Sequence, residues 1–215
     1  MTMTETRPSG VSEPVVALKR RTIDTVLISF GAVITAALVV AGALLMWGAN
    51  FAADYVDDEL SSQNITFPPA ADLAEEGRDD LVKFGGQDVN TGEEAEAYAS
   101  FIDGHLAGIA DGATYADLGT PERETRAAVT AAKESGADAA TIAELQSEAD
   151  AVAGQRNSLF KGETLRGLLL TAYAWSTVGT IAGYAAIAAF LAGGVMLVLV
   201  LLGLRHHHKV VVQES

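Results

Sequence analysis

Residues 167–204 read GLLLTAYAWSTVGTIAGYAAIAAFLAGGVMLVLVLLGL, 38 positions without a charge. About 20 apolar residues, rising 1.5 Å each, cross a hydrocarbon core of ~30 Å. The run is therefore a transmembrane helix with residues to spare. A second uncharged run of 29 residues, 25–53, precedes it. The predicted fold is an all-α membrane protein, two transmembrane helices joined by a small acidic helical extracytoplasmic domain. Its divisions are a cytoplasmic tail over 1–24, the first span over 25–53, the acidic domain over 54–166, the second span with an outer extension over 167–204, and a cytoplasmic tail over 205–215.

The first run resembles a secretory signal in having Lys19, Arg20 and Arg21 before it. Its apolar stretch is about twice the 7–15 residues of a signal, and Phe51 and Ala52 leave no small-x-small cleavage site before Asp54. It is expected to be an uncleaved anchor. The flanks set the orientation. Basic residues stand before span one (Lys19, Arg20, Arg21) and after span two (Arg205, Lys209, with His206, His207 and His208 between), whereas Asp54, Asp57, Asp58 and Glu59 follow span one. Positive-inside logic puts both termini in the cytoplasm of a bacterial cell and residues 54–166 outside, although Arg156, Lys161 and Arg166 run against it. Trp47, Tyr173 and Trp175 mark the outer interface.

Counting 20–25 residues back from Leu204 reaches Gly179–Tyr184, so 168–176 projects above the bilayer. Leu168, Leu169 and Leu170 then need cover, from the outward continuation of span one near Phe51 and Tyr55 or from a partner protein.

Charge is sorted along the chain. Of 28 acidic and 14 basic residues, 24 and 8 fall in 54–166, which gives 8 − 24 = −16 there against −14 for the whole chain. That balance excludes a nucleic-acid binder needing a basic face. With no cysteine, disulfides, zinc–thiolate sites and iron–sulfur ligation are excluded as well.

Within 54–166, Ile65-Thr66-Phe67-Pro68-Pro69 reads as an extended piece ending at a proline stop. Gly85-Gly86 and Asn90-Thr91-Gly92 read as turns around Gln87-Asp88-Val89. Thr91 and Glu94 make a capping-box pattern, followed by the stripe Ala95, Tyr98, Ala99, Ile102, Leu106, Ile109 of one helix ending at Gly112. Thr120-Pro121-Glu122 predicts a second helix, N-capped by Thr120 and stopped at Gly136. A third carries Ile142, Leu145, Ala149 and Val152 and runs through Leu159 and Phe160 into span two.

Candidate chemistry is thin. His105 is the one histidine of the outer segment, and its helix-face neighbours Phe101, Ile102, Gly108 and Ile109 offer no acid–base partner. The His206–His208 triple reads as an interfacial anchor. No nucleophile elbow, P-loop or dinucleotide fingerprint is present, and neither run carries an ionisable residue for transport. No catalytic residue, cofactor or metal centre is expected. Asp54, Asp57 and Asp58 share a helix face, which reads either as a solvated acidic surface or as a weak cation site without calcium-loop spacing. Asn64-Ile65-Thr66 matches a glycosylation sequon, without meaning in the GC-rich bacterial source that the composition suggests.

Small residues are the stronger signal. Gly179 and Gly183 form a G-x-x-x-G step, Ala186, Ala189 and Gly193 continue it, and span one offers Ala32/Ala36 and Ala37/Ala41. Such faces let helix backbones approach closely in lipid. One face suffices to pair the two spans. Another is open to a membrane-protein partner or a second copy, together with Leu168, Leu169 and Trp175.

The chain resembles a group of actinobacterial two-span membrane proteins of unknown function, often automatically labelled "aromatic ring-opening dioxygenase". The resemblance rests on Ala97-Tyr98-Ala99, Ile102 and His105, on the run from Gly112 to Leu118, on Pro121-Glu122-Arg123-Glu124-Thr125-Arg126, and above all on Leu159-Phe160-Lys161-Gly162-Glu163-Thr164-Leu165-Arg166-Gly167-Leu168-Leu169-Leu170-Thr171-Ala172-Tyr173. It implies architecture and location. Extradiol cleavage with non-haem iron needs two histidines and a carboxylate on one metal, and here the histidines fall on opposite sides of the membrane. The expected role is non-catalytic, that of an accessory or interaction subunit. The alternative is an extracytoplasmic module that binds or senses cations or a cationic ligand.

Overall fold

The computed structural model describes residues 20–213, with side chains over 22–206. Lys19, Arg20, Arg21, His207, His208 and Lys209, on which the orientation argument draws, lie outside the described residues or side chains. Helices dominate: α1 (Arg20–Ser61), α2 (Ala70–Glu75), α3 (Gly92–Ala107), α4 (Gly119–Glu134) and α5 (Ala139–Gln213), with a 3-10 turn at Val82–Phe84. α1 and α5 are long and apolar enough to cross a membrane, with best-window mean hydropathies of 2.4 and 2.7. Only 17% and 11% of those windows are buried. The core helix of a soluble protein would be mostly covered, so these surfaces suit a lipid environment.

Two compact units make up the chain. The described part of the first comprises 20–44 and 186–213. Here Gly31 lies against Val200, Gly42 against Phe190, Gly193 against Leu38 and Gly203 against Ile28. Numbers rise on α1 as they fall on α5, which makes the helices antiparallel in a fixed register. Asp24, Ile28, Gly31, Thr35, Leu38 and Gly42, in alternating steps of four and three, are less exposed residues of α1 in this unit, with Ile34 beside them. That is the spacing of a left-handed helix pair. Thr35 donates its hydroxyl to the Gly31 carbonyl at 2.8 Å, so the polar group on this seam is satisfied within its own helix.

The second unit, 45–185, holds the remaining elements. Gly183 meets Ala49 and Gly179 meets Ala52. Beyond them α1 continues through Val56 and Leu60 into a core with Phe67, Leu73, Phe84, Val89, Ala95, Ala99 and Leu169. α3 runs antiparallel to α5: Gly92 sits on Ser176 and Leu106 on Gly162. Its seam Gly92, Ala95, Ala99 and Leu106 is made of small residues until the last turn, which lets the backbones approach.

The Thr91–Glu94 capping box forms as expected. The extended piece and the Gln87–Val89 stretch pair with one another through an antiparallel bridge between Thr66 and Asp88. Phe67 N donates to Gln87 O at 2.9 Å and Val89 N to Ile65 O at 2.8 Å. α2, which the sequence reading passed over, starts directly after Pro69 and buries Leu73.

Two expected boundaries are corrected. α3 ends at Ala107 rather than Gly112, and the residues between form a turn with Ala110 (φ +49°), Asp111 (φ +57°) and Gly112 (φ +83°) in the left-handed region. Thr120 is not the N-cap of α4. The helix begins at Gly119, because Thr114 and Asp117 exchange hydrogen bonds that already turn the chain. Pro121 is accommodated in the first turn, where a missing N–H has no intrahelical partner. α4 and α5 form a hairpin around Gly136 (φ +71°), and Asp138 caps α5 by accepting from the Ala140 and Thr141 amides at 3.0 Å each. As the sequence predicts, α5 passes through Leu159 and Phe160 without a break.

Candidate functional site

The small residues singled out in span two are used within the chain. Gly179 and Gly183 pack on Ala52 and Ala49, Gly193 packs on Leu38, Ala186 is fully buried and Ala189 half-buried. Glycine 194, by contrast, has open space around its α-carbon.

Leu168, Leu169 and Trp175 divide. Leu169 enters the core at 2% exposure, whereas Leu168 is 64% and Trp175 50% exposed. The cover that α1 gives to this stretch comes from Val56 and Leu60. Phe51 and Tyr55, the expected cover, point outward and stack with Trp47 in a ladder, ring centroids 5.8 and 6.2 Å apart. Helical periodicity explains the shift: positions 52, 56 and 60 share the face turned to α5, and 51 and 55 do not.

What remains between the two helices is an open groove of about 260 Å³. α5 contributes Leu165, Leu168 and Trp175, α1 contributes Tyr55 and Glu59, and the turn after α1 contributes Gln63. On the α1 side sequence reading named Tyr55 and missed Glu59, one turn further on. On the α5 side the signal was available as 165, 168, 172 and 175, an apolar stripe in steps of three and four lying beside the buried one. The Glu59 carboxylate has no side-chain partner among the described residues.

Asp54, Asp57 and Asp58 are exposed on consecutive turns of α1, and Asp57 accepts a 3.3 Å hydrogen bond from Ser61. Among the described residues no group of three histidines or carboxylates is arranged to hold a metal ion. His105 has a neighbour that its own helix does not reveal. Its Nε2 lies 3.9 Å from Glu76, just past the end of α2, while Nδ1 contacts the Phe101 carbonyl at 3.1 Å. Both His105 and Glu76 are exposed, which makes this a weak surface pair. His206 and Asp24 line a separate shallow cleft of about 230 Å³ whose other walls are apolar.

Elsewhere the polar groups hold the outer helices together. Glu122 receives Arg156 and Arg126 at 2.6 Å each, and Arg156 lies 3.9 Å from the centre of the Tyr115 ring. Arg78 ties Asp80 (2.8 Å) to the Ser100 carbonyl (3.0 Å), and its guanidinium holds the Asp80 carboxyl below the usual range. Burial pushes the Tyr98 phenol up. These contacts brace the helices and loops against one another. No protein-family model matches the chain, and neither a curated protein nor a solved structure does.

Proposed function

We propose that this chain is a two-span bacterial plasma-membrane protein, both termini cytoplasmic, whose acidic segment 54–166 lies outside and serves a non-catalytic accessory role in a larger membrane complex. The lipid-facing lengths follow from the register. With Gly183 on Ala49, Trp47 stands abreast of Tyr184. About 20 residues inward from each reach Leu27 and Leu204, beside Asp24 on one helix and Arg205 on the other. Tryptophan and tyrosine then occupy the outer interface, and charges begin at the inner one. The residue-level resemblance to two-span actinobacterial proteins favours the same arrangement.

One observation carries the accessory role. The exposed stripe Leu165, Leu168 and Trp175 shares its groove with Tyr55 and Glu59, on the stretch of α1 that carries Asp54, Asp57, Asp58 and Glu59. A carboxylate in hydrocarbon costs several kcal/mol (roughly 2.5–3.5 on insertion scales), so four of them keep this level out of the lipid. An apolar face that lipid does not cover is an interaction surface.

Extraction in mild detergent, affinity isolation and mass spectrometry test the proposal. A partner membrane protein in fixed stoichiometry supports it, and a monodisperse monomer contradicts it.

A further inference from the structure

Where α1 and α5 extend beyond Trp47 and Tyr184 they are joined by α3, and three helices share one core through Val56, Leu60, Ala95, Ala99 and Leu169. α3 occupies one side of α5, from Ser176 up to Gly162. The groove opens on another. Its α5 wall repeats at 165, 168, 172 and 175, and its α1 wall at 55 and 59, with Gln63 in the turn that follows α1. An apolar stripe at helical spacing on α5, flanked across a trough by Tyr55 and Glu59 one turn apart on α1, is a surface into which a further helix sets its side chains as knobs into holes. Trp175 and Leu168 supply the large apolar anchors that dominate such contacts.

The groove also carries a charge cue. Glu59, without a side-chain partner among the described residues, brings a carboxylate to its wall, and the segment around it has 24 acidic residues against 8 basic ones. Two copies of so acidic a segment repel, which disfavours self-pairing, while a basic segment is drawn in. We propose that the groove receives an amphipathic helix of a different membrane protein, with its apolar stripe on Leu165, Leu168 and Trp175 and a lysine or arginine against Glu59. This rests on the accessory role and adds the chemistry of the partner segment.

A photoreactive benzophenone amino acid in place of Leu168, in the full-length protein in its native membrane, tests the inference when the crosslinked peptide is sequenced. A matching probe at the exposed Leu191 serves as the lipid-facing control. The expected product from position 168 is one foreign segment with an apolar helical stripe and at least one lysine or arginine. Glu59→Lys, at an exposed position, should reduce its yield about tenfold, the ratio that 1.4 kcal/mol of lost binding gives. Crosslinks to lipid alone, to a second copy, or to a segment without basic residues overturn the inference, as does an unchanged yield in Glu59→Lys. If position 168 is silent while the detergent-extracted protein still carries a stoichiometric partner, this inference falls and the accessory role stands. A monomer on extraction removes both.

Discussion

Gly92 rests directly on Ser176, so the first turn of α3 touches α5 with no room for a side chain between them. The contact sets the height of α3 along α5, and Leu106 on Gly162 repeats it fourteen residues later. Gly92→Val should destabilise the 45–185 unit by about 1–3 kcal/mol, the usual cost of overpacking. Gly167→Ala, on the same α5 surface run but with nothing near its α-carbon, should stabilise by about 0.5–1 kcal/mol through helix propensity. Urea unfolding in detergent, followed by circular dichroism, separates the two signs.

The same contrast holds along the apolar helices. A β-carbon at Gly42 would stand 2.9 Å from the Phe190 ring, and one at Gly179 2.9 Å from Ala52 Cβ. Gly179→Val and Gly42→Val should loosen the helix pair, whereas Gly194→Val should be neutral because that position is open. Disulfide trapping between Ala49→Cys and Gly183→Cys, in a chain without native cysteine, reads the pairing. Trapping should fall in the Gly179 variant and persist in the Gly194 variant.

Much of this architecture was legible in the residues. Uncharged length gave both long helices, Thr91 with Glu94 gave the start of α3, and Gly136 gave the α4 stop. Start signals failed where a tertiary or upstream contact took over, as at Thr120, where the Thr114–Asp117 turn had already begun the helix. Partners across the chain were invisible: nothing local links Asp88 to Thr66, Glu76 to His105 or Arg156 to Glu122. The groove was half legible. Leu168 and Trp175 stand out as apolar residues above a span, but the other wall is set by the register of α1, which glycine contacts fix only in three dimensions.

Arg156 joins α5 to both α4 and the preceding loop. It bonds Glu122, whose side chain is 12% exposed, donates to the Tyr115 carbonyl at 3.2 Å, and covers the Tyr115 ring. Arg156→Met should cost roughly 1–3 kcal/mol, because a nearly buried carboxylate loses one of its two cations. Arg156→Lys should recover little of it, since an ammonium cannot serve both acceptors and stack on the ring. Thermal unfolding of the three proteins side by side gives the ranking.

Acid sensitivity follows from two carboxylates, one holding the turn before α4 and one capping α5. Thr114 donates its hydroxyl and amide to Asp117 at 2.7 and 2.9 Å, and Thr141 and Ala140 donate to Asp138, holding both carboxyls below the ordinary range. A lowered folded-state pKa stabilises fully above the ordinary carboxylate range, and that stability is lost as pH falls through the lowered values. Thr114→Val and Thr141→Val, which remove one hydroxyl each, should flatten this acid limb without shifting the neutral plateau by as much as the core variants do. Unfolding midpoints measured from neutral pH downward check the sign.

The interaction role requires the Leu168 face to lie outside lipid and beneath protein. Leu168→Cys, unique in a cysteine-free chain, should react readily with a water-soluble maleimide when the purified protein sits alone in a lipid nanodisc, and should be protected in the native membrane. Protection in the empty nanodisc would mean that lipid covers the face. Equal reactivity in the native membrane would mean that nothing does, and either result contradicts the account.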